Sequence, residues 1–215
     1  MFKNVIFDMD GLMIDSELLM FEVFRDYLSQ TEPPLTMDFF QHVIGKSTAE
    51  GNVLLENRYP GVAFDEAVLL DMYTRCIDEG RLKIKPGLYE LLDTLDRLGV
   101  KKSIASSNIL EIIELCLAPL GLLERFDFIV CDGMVEKCKP APDLHLEAAR
   151  LMGAKPEDCL ILEDSEPGVC AGLAAGGKVI AIPDIIPIPE RYAKKCYAVL
   201  DSLHDVNKLF ADSLQ

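Results

Sequence analysis

The chain has 215 residues, half of them hydrophobic, and its 21 basic and 36 acidic side chains leave a net charge of −15. This length predicts one large domain, alone or with a smaller one, and the apolar content excludes disorder as the main state. The negative charge excludes a nucleic acid polymer as a general partner, and no apolar run reaches the ~20 residues that span a membrane.

The first half of the chain begins with a predicted buried strand at residues 5–7, a short apolar run that stops at Asp8. Residues 18–82 then show helical apolar spacing, as at Phe21, Phe24 and Leu28, and no strand-like run. That length is too great for a loop inside a compact domain. We therefore predict a helical insertion after the first strand, with a return to the core at Pro86.

Strands and helices alternate in the second half of the chain. Helical spacing of apolar residues predicts helices over 88–95 and over 144–151, the second one ending before Gly153. Apolar runs predict strands at 103–105, 128–130, 160–162 and 179–182, and a last edge strand at 198–200. Strands that alternate with helices indicate βαβ units, so we predict an α/β fold with a parallel sheet.

Acidic residues follow two of the predicted strands at the points where they end. Asp8 and Asp10 follow the first strand, and Glu163 and Asp164 close the strand at 160–162. If these strands are neighbours, up to four carboxylates face one point at the edge where parallel sheets bind ligands. Such crowding requires a cation or a shared proton, and hard oxygen ligands suit Mg²⁺. The sequence therefore predicts a magnesium site.

Two further polar groups lie at strand ends. Ser106, followed by Ser107 and Asn108, ends the strand at 103–105 and can donate hydrogen bonds. Lys139 follows the strand at 128–130, where a positive charge can face a phosphate. Gly11 allows a sharp backbone turn after the first acidic pair. Each group alone would be ordinary in a turn, so the prediction depends on their combination.

These four groups together resemble the motifs of the haloacid dehalogenase-like phosphohydrolases, in order and spacing across nearly the whole chain. Asp8-x-Asp10 looks like the first motif, Ser106 the second, Lys139 the third and Glu163-Asp164 the fourth. Residues 139–143 and 165–168 resemble the branch that holds β-phosphoglucomutase and small phosphatases. The resemblance implies a Rossmann-like core formed by 1–15 and 84–215, and an all-helical cap at 16–83.

The resemblance also implies a Mg²⁺-dependent phosphatase for a small phosphorylated metabolite, either a sugar phosphate or a nucleoside monophosphate. Asp8 would be the nucleophile that forms an aspartyl-phosphate, and Asp10 would protonate the leaving group and then deprotonate water. Ser106 and Lys139 would hold the phosphoryl group. The ion would be held by Asp8, Asp164 and the backbone carbonyl of Asp10, with Glu163 bonding a water on the ion. Seven residues are expected to contact substrate: Asp8, Gly11, Ser106, Ser107, Asn108, Lys139 and Lys46.

Two other functions remain open on the same fold. Phosphomutases of this branch usually carry a His shortly after the first motif, where residues 16–20 have none, and an Arg after Gly-x-Ser, where this chain has Thr48. Both differences favour hydrolysis over a β-phosphoglucomutase-type reaction. A non-catalytic binding module is the other alternative, and the intact acidic residues and Lys139 argue against it. Lys46 could contact substrate or lie in a solvated loop.

Cysteine and histidine residues give no further site. Seven scattered cysteines in no paired spacing predict reduced thiols, and no signal peptide pattern precedes the first strand, so we expect a cytoplasmic protein. His42, His145 and His204 lie far apart and match no catalytic or zinc template, so we assign them ordinary packing or surface positions. The chain can bury a sufficient core alone, and we expect a monomer.

Overall fold

The computed structural model of the chain describes residues 2–44, 48–62 and 64–211. The chain divides into two compact units. The first, which we call the core unit, comprises the described residues of Met1–Ile14 and Ile84–Gln215, and the second, the helical unit, comprises those of Asp15–Lys83. The second unit thus interrupts the first one directly after its opening strand and loop.

A single parallel sheet forms the centre of the core unit. Its strands, as described, are β1 (Asn4–Phe7), β2 (Lys101–Ala105), β3 (Phe128–Val130), β4 (Cys159–Glu163), β5 (Lys178–Ala181) and β6 (Ala198–Val199). The order across the sheet is β3-β2-β1-β4-β5-β6, and every neighbouring pair is parallel. This arrangement confirms the predicted α/β fold class.

Strand β1 lies between β2 and β4, and this position determines where the polar strand ends meet. Phe7, its last residue, pairs with Ile104 on one side and with Leu162 on the other. Because all three strands run in the same direction, the residues that follow them leave the sheet at one edge. The acidic residues after β1 and at the end of β4 are therefore neighbours.

The helical unit contains four helices and no strand among its described residues. The helices are α1 (Ser16–Tyr27), α2 (Met37–Phe40), α3 (Thr48–Arg58) and α4 (Glu66–Asp78). The unit has a small apolar core of its own, formed by Leu28, Leu35, Phe40, Leu55 and Tyr59. The helical spacing that the sequence shows in this region is therefore explained by packing within the unit.

Six α-helices accompany the sheet in the described part of the core unit. They are α5 (Leu88–Arg97), α6 (Leu110–Leu117), α7 (Asp143–Met152), α8 (Glu166–Ala175), α9 (Glu190–Ala193) and α10 (Leu203–Ala211). The helix predicted over 144–151 is present as α7, but its buried face differs from the predicted one. Met152 is buried, whereas Leu151 is only half-buried. Among residues 2–44, 48–62 and 64–211, no helix has the length and apolar character needed to cross a membrane.

Candidate active site

Three buried carboxylates meet at the edge of the sheet where β1 and β4 end. Asp8 follows β1, Glu163 is the last residue of β4, and Asp164 comes next. One oxygen from each lies within 4.8 Å of the others. The backbone N–H of Asp8 donates to the carbonyl oxygen of Leu162 at 3.0 Å, which extends the strand ladder as far as the site. The sheet register alone brings these three residues together.

Lys139 lies among the carboxylates and contacts two of them. Its Nζ donates to Asp8 Oδ1 and lies 2.7 Å from Glu163 Oε1, and the lysine side chain is almost fully buried. Burial acts to lower the pKa of Lys139, but Asp8 and Glu163 raise it above its ordinary value. The ammonium group therefore stays charged. Three carboxylates and one ammonium group leave two excess negative charges in this described cluster when all are ionised.

Burial and the neighbouring charges change the pKa of all three carboxyl groups. Burial raises the pKa of Asp8 to about 8, although Lys139 opposes the rise. Burial, followed by Asp8 and Glu163, also raises the pKa of Asp164 well above its ordinary value. Burial acts in the same direction on Glu163, but Lys139 and the hydrogen bond with His145 lower its pKa. A cation near Asp8 and Asp164 would favour their ionised forms.

The residues present fit a hard divalent cation. Oε2 of Glu163 is buried and finds no hydrogen-bond partner within the part of the chain that the structure describes, so an oxygen acceptor remains available. Two glycines leave room for the carboxylates, because a Cβ at Gly11 would overlap Asp164 Oδ2 and one at Gly168 would overlap Glu163 Oε2. Carboxylate oxygens with two excess negative charges suit an ion such as Mg²⁺.

Asp10 is not one of the three clustered carboxylates, although its negative charge acts to raise the pKa of Asp8. Asn108 Nδ2 donates to Asp10 Oδ2 at 2.6 Å. Asn108 is itself fixed, because its backbone N–H donates to Ser106 Oγ at 3.1 Å. Ser106 is fully buried at the end of β2, whereas Ser107 is exposed. The loop after β2 therefore orients Asp10, and Lys46 lies outside the described residues.

Three residues that the sequence did not predict as part of the site also lie at this edge. His145 on α7 places its Nε2 3.1 Å from Glu163 Oε1. Lys85 pairs with Asp184, and a Cβ at Gly11 would lie 3.2 Å from Asp184 Oδ2. Asp184 follows β5 and could have been found as another acid after a strand. The sequence around Lys85 and His145 gives no comparable signal.

Comparison with known proteins identifies relatives that share both the sequence and the fold. The model of the haloacid dehalogenase-like hydrolase family matches residues 5–182, which include all four strand-end motifs. A bifunctional riboflavin kinase/FMN phosphatase of Arabidopsis thaliana is 32% identical over 206 residues. The match covers 94% of this chain and 54% of that protein, so the chain spans about half of its length.

Two further similarities concern proteins of comparable size. A phosphorylated carbohydrates phosphatase of Thermotoga maritima is 30% identical over 181 residues, covering 81% of this chain and 82% of that protein. The crystal structure of a hydrolase from Deinococcus radiodurans R1, with bound phosphate and sodium, superimposes with a TM-score of 0.81 at 25% identity. That similarity covers 99% of this chain and 96% of the other chain. Both the fold and the sequence therefore match the family that the motifs resemble.

Proposed function

Because the chain belongs to the haloacid dehalogenase-like hydrolase family, we propose that it is a Mg²⁺-dependent phosphatase of small metabolites that forms a phosphoaspartate at Asp8. Its phosphatase relatives support a phosphoric monoester hydrolase. The observation that carries the proposal is the buried contact of Asp8 with Lys139, next to Glu163 and Asp164. This arrangement supports the proposal, because the proposed nucleophile, a positive charge and the proposed cation ligands lie at one point.

In the first step, a carboxylate oxygen of Asp8 attacks the phosphorus atom of a phosphate monoester. A bond forms between that oxygen and phosphorus, and the bond from phosphorus to the substrate oxygen breaks. The departing alkoxide takes a proton from Asp10, whose Oδ2 is held by Asn108 at 2.6 Å. Asp10 must therefore begin the cycle protonated, and the negative charge of the neighbouring Asp8 carboxylate favours that form.

In the second step, water attacks the phosphorus atom and the bond to Asp8 breaks. Asp10, now ionised, takes a proton from the attacking water, and inorganic phosphate leaves. Lys139, already in contact with Asp8, offsets negative charge on the phosphoryl group throughout, and Ser106 holds one of its oxygens. Gly11, Ser107 and Asn108 complete the proposed phosphate contacts.

The cation would be held by Asp8, Asp164 and the backbone carbonyl of Asp10, with Glu163 bonding a water on the ion. When bound, it supplies positive charge that neutralises the transferred group. Burial, together with repulsion from the neighbouring carboxylates, raises the pKa of Asp8 and Asp164, and a bound cation would favour their ionised forms. Its role is thus supported by the two excess charges of the cluster.

Substrate recognition is proposed to belong to the helical unit, as the cap of this enzyme. Relatives named for FMN and for phosphorylated carbohydrates support the proposed substrate class, which is a sugar phosphate or a nucleoside monophosphate. Lys46 is kept as a proposed substrate contact from this unit.

The proposal is tested by phosphate release from a panel of phosphate monoesters, with Mg²⁺ and with EDTA. We expect release that requires Mg²⁺ and that Asp8→Asn abolishes. Asp132→Asn is the matched control, because Asp132 also follows a strand but is exposed. Mg²⁺-dependent release by Asp8→Asn would contradict the mechanism. Accumulation of glucose 6-phosphate from β-glucose 1-phosphate and a bisphosphate primer would instead indicate a mutase.

A further inference from the structure

His145 is a polar residue on an otherwise apolar buried face. Helix α7, all of which the structure describes, buries five residues, and the other four are Leu144, Ala148, Ala149 and Met152. The His145 side chain is 0% exposed. Burying an imidazole ring costs free energy unless the ring is hydrogen-bonded, and an apolar side chain would avoid that cost. We therefore expect the buried ring of His145 to have a hydrogen-bond partner.

That partner is Glu163, and the contact defines which ring nitrogen carries the proton. His145 Nε2 lies 3.1 Å from Glu163 Oε1. Oε1 also accepts from Lys139 Nζ at 2.7 Å, so this oxygen acts as an acceptor and Nε2 is the nitrogen that donates to it. Nδ1 is then the bare nitrogen, and it finds no hydrogen-bond partner among the described residues. The ring thus makes a single directed contact, aimed at the acidic cluster.

The contact fixes Glu163 from one side while the backbone confines it from the other. Oε1 meets two donors, Lys139 Nζ at 2.7 Å and His145 Nε2 at 3.1 Å. Oε2 lies against Gly168, where even a Cβ would overlap it. Without His145, Oε1 would rely on Lys139, whose ammonium group is shared with Asp8. Rotation of the carboxylate would then be less restricted.

We propose that His145 is a positioning residue for the divalent cation, and that it acts by donating from Nε2 to Glu163 Oε1 and so fixing the Glu163 carboxylate. His145 touches neither the substrate nor the reacting atoms. The inference rests on the metal site of the proposed function, and it is independent of phosphoryl transfer. A group that is hydrogen-bonded to a ligand of a metal ion typically contributes about 10–100-fold to metal affinity, and Glu163, which would bond a water on the ion, is such a group.

The test is the dissociation constant of Mg²⁺, measured by calorimetry on the substrate-free full chain. His145→Phe should weaken Mg²⁺ binding about 10–100-fold. His145→Gln should bind within a few-fold of the unchanged chain, because its amide nitrogen reaches about as far as Nε2. His145→Asn, equally polar but shorter, should bind as weakly as His145→Phe. The Gln and Asn variants form a matched pair in case the Phe variant fails to fold.

A control separates positioning from general destabilisation. Met152→Ala opens a cavity on the same buried face, seven residues from His145, and should lower stability with an unchanged Mg²⁺ dissociation constant. In activity assays, His145→Phe and His145→Asn should require more Mg²⁺ but recover kcat at saturation. Equal Mg²⁺ binding by His145→Asn and His145→Gln would overturn this inference alone. Absence of Mg²⁺ binding by the unchanged chain would overturn the metal site and this inference together.

Discussion

Asp8 and Asp10 lie two residues apart and have different neighbours. Asp8 is buried against Lys139, whereas Asp10 receives a hydrogen bond from Asn108 at 2.6 Å. Two carboxyl groups in different environments can take different protonation states at one pH. The different environments support the proposed roles of Asp8 as the nucleophile and Asp10 as the acid.

Asp10→Asn should affect poor leaving groups most. With an alkyl phosphate, loss of the general acid should lower kcat by about 10²–10⁴-fold. With p-nitrophenyl phosphate, whose leaving group needs little protonation, the first turnover should stay fast and the second step should be slow. We expect a burst of one equivalent of p-nitrophenol per chain in stopped-flow measurements. Equal losses for the two substrates, without a burst, would contradict the role of Asp10.

Residues of the site differ in how well the sequence predicts them. Asp8, Glu163 and Asp164 could be predicted to meet because each follows or ends an apolar run, and parallel strands share an edge. His145 could not, because a histidine on an apolar helix face does not reveal its partner from sequence alone. The pairing of Asn108 with Asp10 likewise depends on the exact course of the loop after β2.

At the scale of elements, the start of α8 connects secondary structure with the site. Ser165 is its N-cap and accepts a hydrogen bond from the Gly168 N–H at 3.3 Å. Gly168 lies one turn into the helix and against the Glu163 carboxylate. The same glycine therefore serves both the cap and the cluster.

Two substitutions at this helix end should have different consequences. Gly168→Ala introduces a Cβ that overlaps Glu163 Oε2, so we expect the carboxylate to move and Mg²⁺ binding to weaken by at least about tenfold. Ser165→Ala removes the cap, so it should lower the free energy of unfolding by about 1 kcal/mol while Mg²⁺ still binds. Calorimetry and urea unfolding measure the two effects. Unweakened Mg²⁺ binding by Gly168→Ala would contradict the assigned packing.

An ion-pair group joins α5, β2 and the segment before β3. Lys102, buried on β2, pairs with Asp96 on α5, and Arg125 contacts Asp96 at 2.6 Å and Asp93 at 2.8 Å. Burial acts to raise the pKa of Asp96, but hydrogen bonds from Lys102 and Arg125 lower it below its ordinary value. A carboxyl group whose pKa is lower in the folded than in the unfolded state stabilises the fold at any pH above its unfolded-state pKa. This contribution is lost as the pH falls through the folded-state pKa.

Asp96→Asn should therefore destabilise the chain in a pH-dependent way. At pH 7 we expect a loss of about 1–2 kcal/mol, less than for a fully buried pair because the Asp96 side chain is 43% exposed. In urea unfolding, the difference from the unchanged chain should shrink as the pH falls below 3.8, the ordinary pKa of aspartate. Asp93→Asn, at an exposed position, should change stability by less than about 0.5 kcal/mol. A pH-independent difference would contradict this assignment.

The sequence predicted secondary structure best where the apolar pattern was unbroken and where the strand was buried on both faces of the sheet. The run at 5–7 became β1 because a parallel strand buried on two faces is continuously apolar. The run at 198–200 gave only the two-residue strand β6 at the sheet edge, where pairing is one-sided. At α7 the pattern gave the helix but not its exact buried face, since tertiary packing decided between Leu151 and Met152.

At the scale of the whole molecule, the buried carboxylates that the proposed function requires also lower the stability of the fold. The chain carries a net charge of −15 and concentrates three carboxylates at one buried point. Burial and Asp8 raise the pKa of Asp164, so its ionised form is unfavourable in the folded, metal-free chain. An ion that binds only the folded state adds about 2.7 kcal/mol of stability at 100 times its dissociation constant.

Asp164→Asn should accordingly raise the melting temperature without Mg²⁺ and reduce the stabilisation that Mg²⁺ gives. The amide has nearly the shape of the carboxylate, so it keeps the packing against Gly11 and removes one repulsive charge. Thermal unfolding with and without Mg²⁺ measures both effects, and the exposed Asp132→Asn serves as control. A lower melting temperature with an unchanged response to Mg²⁺ would contradict the account of charge crowding.

The central claim is that Asp8, within this crowded cluster, accepts the phosphoryl group. Borohydride reduces an aspartyl-phosphate to homoserine, so peptide mass spectrometry after quenching a reaction with borohydride identifies the phosphorylated residue. We predict homoserine at position 8, only when substrate and Mg²⁺ are both present, and more of it in Asp10→Asn. Continued phosphate release without homoserine at position 8, or with it at another carboxylate, would contradict the claim.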